Sequence, residues 1–305
     1  MRRGIALAAG AGGIALAAGL LWWEQGSPAS PSILARVAVA ADTSPNAAFR
    51  LDRVVIATTN GGRVTCTLRL PVPPPASHSR IGVVLLGGIE TGRRAALLVG
   101  PSFDGVVLSC DYPWRDPTRL SAARFLLTLP AIRREVLSTP NALRVAADYL
   151  LSRPEVDTSG LAAVGASLGV PPVAAWAAQD GRAAAVALVM GGADLAGILE
   201  ANIGSEVRWK VLRRPVAAIL GWLLRPIDPG RTVGQVAPRP VLIIGAAGDE
   251  RIPRRSTDLL FAAAREPKAL QWVEGRHLLP RDTALLRVIT DSTLAWVTRH
   301  LPSRR

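Results

Sequence analysis

Histidine and cysteine are scarce in this chain, at three and two residues of 305. Two cysteines exclude a disulfide-dense scaffold and a cysteine-built zinc site. Three histidines leave little material for a histidine-rich metal centre. Lysine is nearly missing as well: Lys210 and Lys268 are the only two, so arginines spread along the chain carry most of the formal net charge of +13. A nucleic-acid binder clusters its basic residues and interleaves them with aromatics. Here aromatics make up 5% and no recognition motif is present, so no nucleic-acid partner is expected. The charge is of the sign that favours an anionic surface or an anionic substrate. Internal repeats, heptad runs and long low-complexity tracts are lacking too, which excludes solenoids and coiled coils.

What remains is a chain with 49% apolar and 19% charged residues. That balance is globular, and the length suits one large domain with a sizeable core. One uncharged run, Gly4 to Trp23, follows Arg2 and Arg3. Twenty helical residues at about 1.5 Å each cover about 30 Å, the hydrocarbon thickness of a bilayer. Residues 1–23 therefore read as a membrane anchor or a cleaved signal peptide, with a buried helix as the remaining reading. The paired arginines hold the N-terminus inside and send the rest across, so the expected location is exported or at the outer face of the membrane. Ala38-Val39-Ala40 offers a cleavage site, although it lies far from the apolar run. Residues 24–48, rich in Ala, Ser and Pro, read as a linker, with ordered structure from Phe49.

From there strands and helices alternate. Arg53–Thr59 and Arg63–Leu70 flank Asn60-Gly61-Gly62, a hairpin signal. Apolar strands follow at Ile81–Leu86, Gly105–Ser109, Leu161–Val164, Ala184–Met190, Pro240–Ile244 and Ala269–Val273. Helical spacing marks Ile132–Leu151, Leu168–Gln179, Ser256–Ala264 and Leu285–His300. This is an α/β pattern, a mostly parallel sheet with helices on both faces. Residues 194–236 interrupt it with a basic, apolar helical segment, Glu206–Arg225, read as a lid laid over the sheet.

Gly165-Ala166-Ser167-Leu168-Gly169 is G-x-S-x-G, preceded by a strand and followed by a helix. That context places a serine hydroxyl above the sheet edge on a sharp turn. A serine needs a base to become a nucleophile at neutral pH. Of the three histidines, His78 lies in a Pro-rich loop upstream and His300 in the last turn of the terminal helix, where it caps carbonyls. His277 follows a strand at its C-terminal end, where sheet enzymes hold their chemistry. The imidazole in turn needs a carboxylate. Asp249 ends a strand and small-residue turn in the chain order Ser, Asp, His. Its neighbour Glu250 and, one strand earlier, Asp194 are the other candidates. Leu168, directly after the serine, and Ile89, after the Gly87-Gly88 turn, are the candidate backbone donors of an oxyanion hole.

Together these residues resemble the α/β-hydrolase fold, nearest its dienelactone-hydrolase-like and prolyl-oligopeptidase-like branches, with acyl-thioester hydrolases nearby. The likeness covers Phe49 to Leu301. It rests on the Asn60-Gly61-Gly62 hairpin, Gly87-Gly88, Gly165–Gly169, the segment PRPVLIIGAAGDERIP and His277. It implies an eight-stranded sheet with a small helical lid. In the site it implies nucleophile Ser167, acid Asp249, base His277 and oxyanion donors at Ile89 and Leu168. Many members carry His-Gly in place of Gly87-Gly88 and Gly-His in place of Arg276-His277, but neither change removes a catalytic side chain.

The implied reaction is hydrolysis of a small carboxylic ester or thioester, with no cofactor and no metal. No propeller precedes the core, so nothing marks a peptidase. Arg251, Arg254, Arg255 and Arg276, near the acid and the base, point weakly to an anionic substrate. The rival class is a catalytically silent member of the fold that binds a lipid or partner at the membrane. Cys66 and Cys110 fall on strands that the resemblance makes neighbours. Adjacent-strand geometry often disfavours a bridge, so two buried thiols are expected.

Overall fold

The computed structural model describes residues 33–42, 48–58, 62–73, 77–113, 122–204, 207, 209–279 and 281–301. The expected anchor or signal segment, residues 1–23, and the hairpin tip Asn60-Gly61 lie outside the described residues.

Among the described residues the sheet has nine strands. They are β1 (Ile33–Asp42), β2 (Phe49–Thr58), β3 (Arg63–Pro71), β4 (Arg80–Leu86), β5 (Val106–Cys110), β6 (Val156–Ala166), β7 (Ala183–Val189), β8 (Val241–Ala246) and β9 (Lys268–Val273), in the order β1-β2-β3-β5-β4-β6-β7-β8-β9. The first three strands and β5 pair antiparallel, and the rest are parallel. This is the α/β-hydrolase fold, with one strand more than the sequence reading allowed. The additional strand is β1, inside the segment read as a linker; it pairs along the edge of β2 and contains Ala38–Ala40.

The helices longer than one turn, among the described residues, are α1 (Ala122–Leu151), α2 (Val170–Gln179), α3 (Leu195–Asn202), α4 (Lys210–Leu223), α5 (Arg254–Ala263) and α6 (Thr283–His300). Helix α1 begins ten residues before the expected Ile132 and runs through Pro130 and Pro140. Among the described residues no helix is long and apolar enough to cross a membrane.

Two cores sandwich the sheet. On one face Val84, Leu108 and Leu161 pack against Leu143, Val145 and Leu150 of α1 and Val173 and Trp176 of α2. On the other, Val83, Val107, Val164 and Leu242 meet Ile289, Leu294 and Val297 of α6. Full burial of such a side chain is worth about 1.5–3 kcal/mol. Helix α2 is buried through eight of its ten residues, which is why its sequence, VPPVAAWAAQ, has no polar face. Pro171 and Pro172 fall in its first turn, where backbone N–H groups have no intrahelical partner. Past the end of α2, Asp180 accepts Trp176 Nε1 at 2.9 Å and Arg182 Nη2 at 2.7 Å. Burial pushes the Asp180 carboxyl up, but the donors from Arg182 and Trp176 outweigh it and hold the group at about 2.

Cys66 and Cys110 form a disulfide, which corrects the expectation of two thiols. They stand directly opposite each other on antiparallel β3 and β5, with Cα atoms 3.9 Å apart. Asp111 N donates to Thr65 O at 2.8 Å beside them, so the cysteines occupy a non-hydrogen-bonded pair, the closer of the two antiparallel pairings. The bridge closes a sequence separation of 44 residues, for which the chain-entropy account gives about 4 kcal/mol. Replacing both cysteines by serine is therefore expected to lower the urea midpoint clearly; an unchanged midpoint would show that the bridge adds nothing.

Candidate active site

β4 is flanked by β5 on one side and β6 on the other, so the strand order reverses there. A crevice opens beyond the C-terminal ends of strands at such a switch point. The Gly87-Gly88 turn leaves β4 and Ser167 leaves β6 at this place.

Ser167 has φ of +54°, a left-handed conformation that non-glycine residues seldom adopt and that marks a turn held by its surroundings. The two flanking glycines explain how the turn fits. A Cβ at Gly165 would lie 2.7 Å from Gly169 O, and one at Gly169 would run into Leu86 O. The chain then tightens through a 3-10 turn, Ser167–Gly169, into α2.

Ser167 Oγ lies 2.9 Å from His277 Nε2. On the other side of the ring, His277 Nδ1 lies 2.9 Å from Asp249 Oδ2 and 3.0 Å from Oδ1. The imidazole is 2% exposed. Asp249 Oδ1 also accepts the backbone N–H groups of Arg251 at 2.9 Å and Ile252 at 2.8 Å, which fix the carboxylate. Serine, imidazole and carboxylate, 110 and 28 residues apart in sequence, thus form one hydrogen-bonded chain.

The other candidate acids have different places. Glu250 accepts the backbone N–H of His277 at 3.0 Å. That contact, with Glu250's own N–H and Arg276 nearby, holds its carboxyl below the usual range. It secures the histidine loop and leaves the ring to Asp249. Asp194 caps α3, accepting Gly197 N at 3.1 Å. His78 Nδ1 meets Val156 O at 3.0 Å, and His300 Nδ1 meets Trp296 O at 2.8 Å in the last turn of α6, as expected of a cap.

The Gly87-Gly88 turn is held from outside the motif. Tyr112 donates its hydroxyl to Gly87 O at 2.6 Å. Gly88 O accepts Thr91 Oγ1 at 2.8 Å, Thr91 N at 3.0 Å and Gly92 N at 3.1 Å. In a planar trans peptide the N–H of Ile89 points opposite to that carbonyl. Asp111 accepts Arg93 N at 3.0 Å and Arg93 Nη1 at 2.5 Å, tying the following turn to the end of β5. Tyr112 and Asp111 escaped the sequence reading because each acts across elements, with no local motif to mark it; Glu250 was read as an alternative acid, and its contact with the His277 backbone was not foreseen.

A cavity of about 410 Å³ opens at Ser167, His277, Ile89 and Leu168. It does not lie under the expected lid. It runs along the α6 face of the sheet, lined by β4, β6 and β7, the 3-10 turn Gly92–Leu98 and α6. The pair α3–α4 sits on the opposite face against α1 and α2, and meets the cavity only through Asn202, which donates to Arg251 O at 2.7 Å. Arg251 borders the cavity, whereas Arg254 stacks over Trp272 at 4.2 Å, and Arg276, 81% exposed, faces Glu250 at 3.6 Å. Among the described residues no three His, Cys, Asp or Glu side chains gather as a metal-binding group.

No protein-family profile matches the chain, and no curated protein matches it in sequence. Solved structures do match in fold. An acetyl xylan esterase from Paenibacillus sp. R4 superposes with a TM-score of 0.64 at 16% identity, over 88% of this chain and 89% of that one. A cold-adapted esterase from an Arctic intertidal metagenomic library gives 0.55 at 16%, over 87% and 100%. The esterase domain of a Rhodothermus marinus protein gives 0.56 at 18%, over 83% and 99%. These likenesses establish the α/β-hydrolase fold.

Proposed function

We propose that this protein is a serine hydrolase that cleaves carboxylic esters or thioesters through an acyl-enzyme on Ser167. The observation that carries the reading is the 2.9 Å contact between Ser167 Oγ and His277 Nε2, with Asp249 on the other ring nitrogen. In this reading Oγ attacks the acyl carbon and its proton passes to Nε2. Asp249 holds the tautomer and balances the imidazolium. The backbone N–H groups of Ile89 and Leu168 receive the oxyanion. The leaving alcohol or thiol takes the proton from Nε2 as its bond to carbon breaks. Water, deprotonated by the same nitrogen, then releases the acid and restores the serine. The esterase titles of the fold neighbours agree with this chemistry. The Ser, Asp, His order and the Gly87-Gly88 turn support a place beside the dienelactone-hydrolase-like and prolyl-oligopeptidase-like branches. A catalytically silent protein has no use for a buried imidazole aligned on a strained serine.

The proposed place of action is outside the cytoplasm. The disulfide supports it, since such bridges persist in oxidising compartments, and the run Gly4–Trp23 after Arg2 and Arg3 supports it too. A fluorophosphonate probe tests the chemistry: it is expected to label Ser167 alone and to abolish hydrolysis of p-nitrophenyl esters. Absence of labelling, together with no turnover across a panel of esters and thioesters, would overturn the proposal.

A further inference from the structure

The cavity reaches far below the serine. Val83 lines it and is in register with Ala162, five residues before Ser167 on β6. At about 3.3 Å per strand residue, that places its far wall roughly 16 Å down the sheet from the nucleophile. An acetyl group leaves such a space empty; a medium-length chain fills it. The opposite wall is α6, where Leu286, Ile289, Thr290 and Thr293 recur at spacings of three and four and so share one helix face.

Thr293 is the exception on that wall. It is 2% exposed, and its Oγ1 has no hydrogen-bond partner among the described residues. A helical threonine ordinarily returns its hydroxyl to the carbonyl four residues back, as Thr139 does to Glu135 O at 3.5 Å. A buried hydroxyl without a partner carries a desolvation cost that valine, of the same shape, avoids. The Asp, Glu, Arg and Lys residues bordering the cavity, Glu90 and Arg251, are both exposed, so among the described residues none lies in its depth to balance a carboxylate or an ammonium.

We propose that this cavity takes a medium-length acyl chain bearing a neutral oxygen substituent, a hydroxyl or oxo group, and that the Thr293 hydroxyl recognises it. This rests on the serine hydrolase reading and names the substrate class for the same site. The geometry also gives Thr293 a role in specificity without contact with the reacting atoms.

The test compares p-nitrophenyl acetate, octanoate and octanoates bearing a hydroxyl or oxo group at successive carbons, on the wild type, Thr293→Val and Thr293→Ser. Octanoate is expected to exceed acetate in kcat/KM. At least one oxygenated octanoate is expected to exceed plain octanoate by on the order of tenfold. Thr293→Val should erase that preference, bringing the oxygenated octanoates level with plain octanoate, and Thr293→Ser should keep it. Calorimetric binding of the corresponding methyl esters to Ser167→Ala gives the same ranking without turnover. If every ester resists hydrolysis but the ranking persists in binding, the hydrolase reading fails and the recognition stands. If acetate is hydrolysed yet no oxygenated chain is preferred in either measurement, or if Thr293→Val retains the preference, the recognition by Thr293 is overturned and the hydrolase reading stands.

Discussion

Ser167→Ala and His277→Ala are each expected to reduce ester kcat by about 10⁴–10⁶ fold, with the double variant no worse than either alone. The two groups act as one unit, and removing either leaves only binding and oxyanion stabilisation. Ser167→Ala should keep its thermal midpoint, because the hydroxyl contributes a single contact to His277. His277→Ala removes a buried ring and leaves Asp249 with its two backbone donors alone, so a lower midpoint is expected. Circular dichroism at the assay temperature separates lost chemistry from lost fold. Near-normal turnover by a folded form of either variant would remove the mechanism.

Asp249→Asn is expected to cost about 10³–10⁴ in kcat at neutral pH, because an amide that donates to Nδ1 favours the tautomer in which Nε2 carries the proton and cannot accept one from Ser167. The contrast lies with the other acids. Asp194→Asn should leave turnover near that of the wild type, since the side chain caps α3. Glu250→Gln should lower it modestly, by loosening the backbone N–H contact that holds the histidine loop. Reversal of the Asp249 and Asp194 results would move the acid to the end of β7.

The nucleophile turn was readable because its motif is local: Gly165 and Gly169 flank Ser167, and Gly165 makes room for Gly169 O, although the Leu86 O that Gly169 clears belongs to a strand distant in sequence. Asp249 and His277 were readable because each ends a strand of recognisable apolar pattern. Strand β1 was not, since its Ala-rich sequence gains its extended form only by pairing with β2. The disulfide was missed for a related reason: periodicity places Cys66 and Cys110 on strands, but only the register sets them opposite each other. The cavity was missed because the apolar stripe on α6 looks the same whether it meets a filled core or a hollow one. The position of α3 and α4 follows suit. An insertion between β7 and β8 can fold to either side of the sheet, and contacts with α1 and α2 decide the side.

The separation of these two faces bears on how such a protein diversifies. Trp209 and Val211, at the start of α4, are 69% and 76% exposed, and α4, whose Leu223 O accepts Arg133 Nε of α1, contributes no residue to the lining of the hollow at Ser167. Mutations that alter this exposed apolar patch therefore fall on one layer, and mutations that alter the shape of the hollow fall on another. Selection can change the outer surface and the hollow as separate traits, with the strands between them as the shared, slowly changing partition.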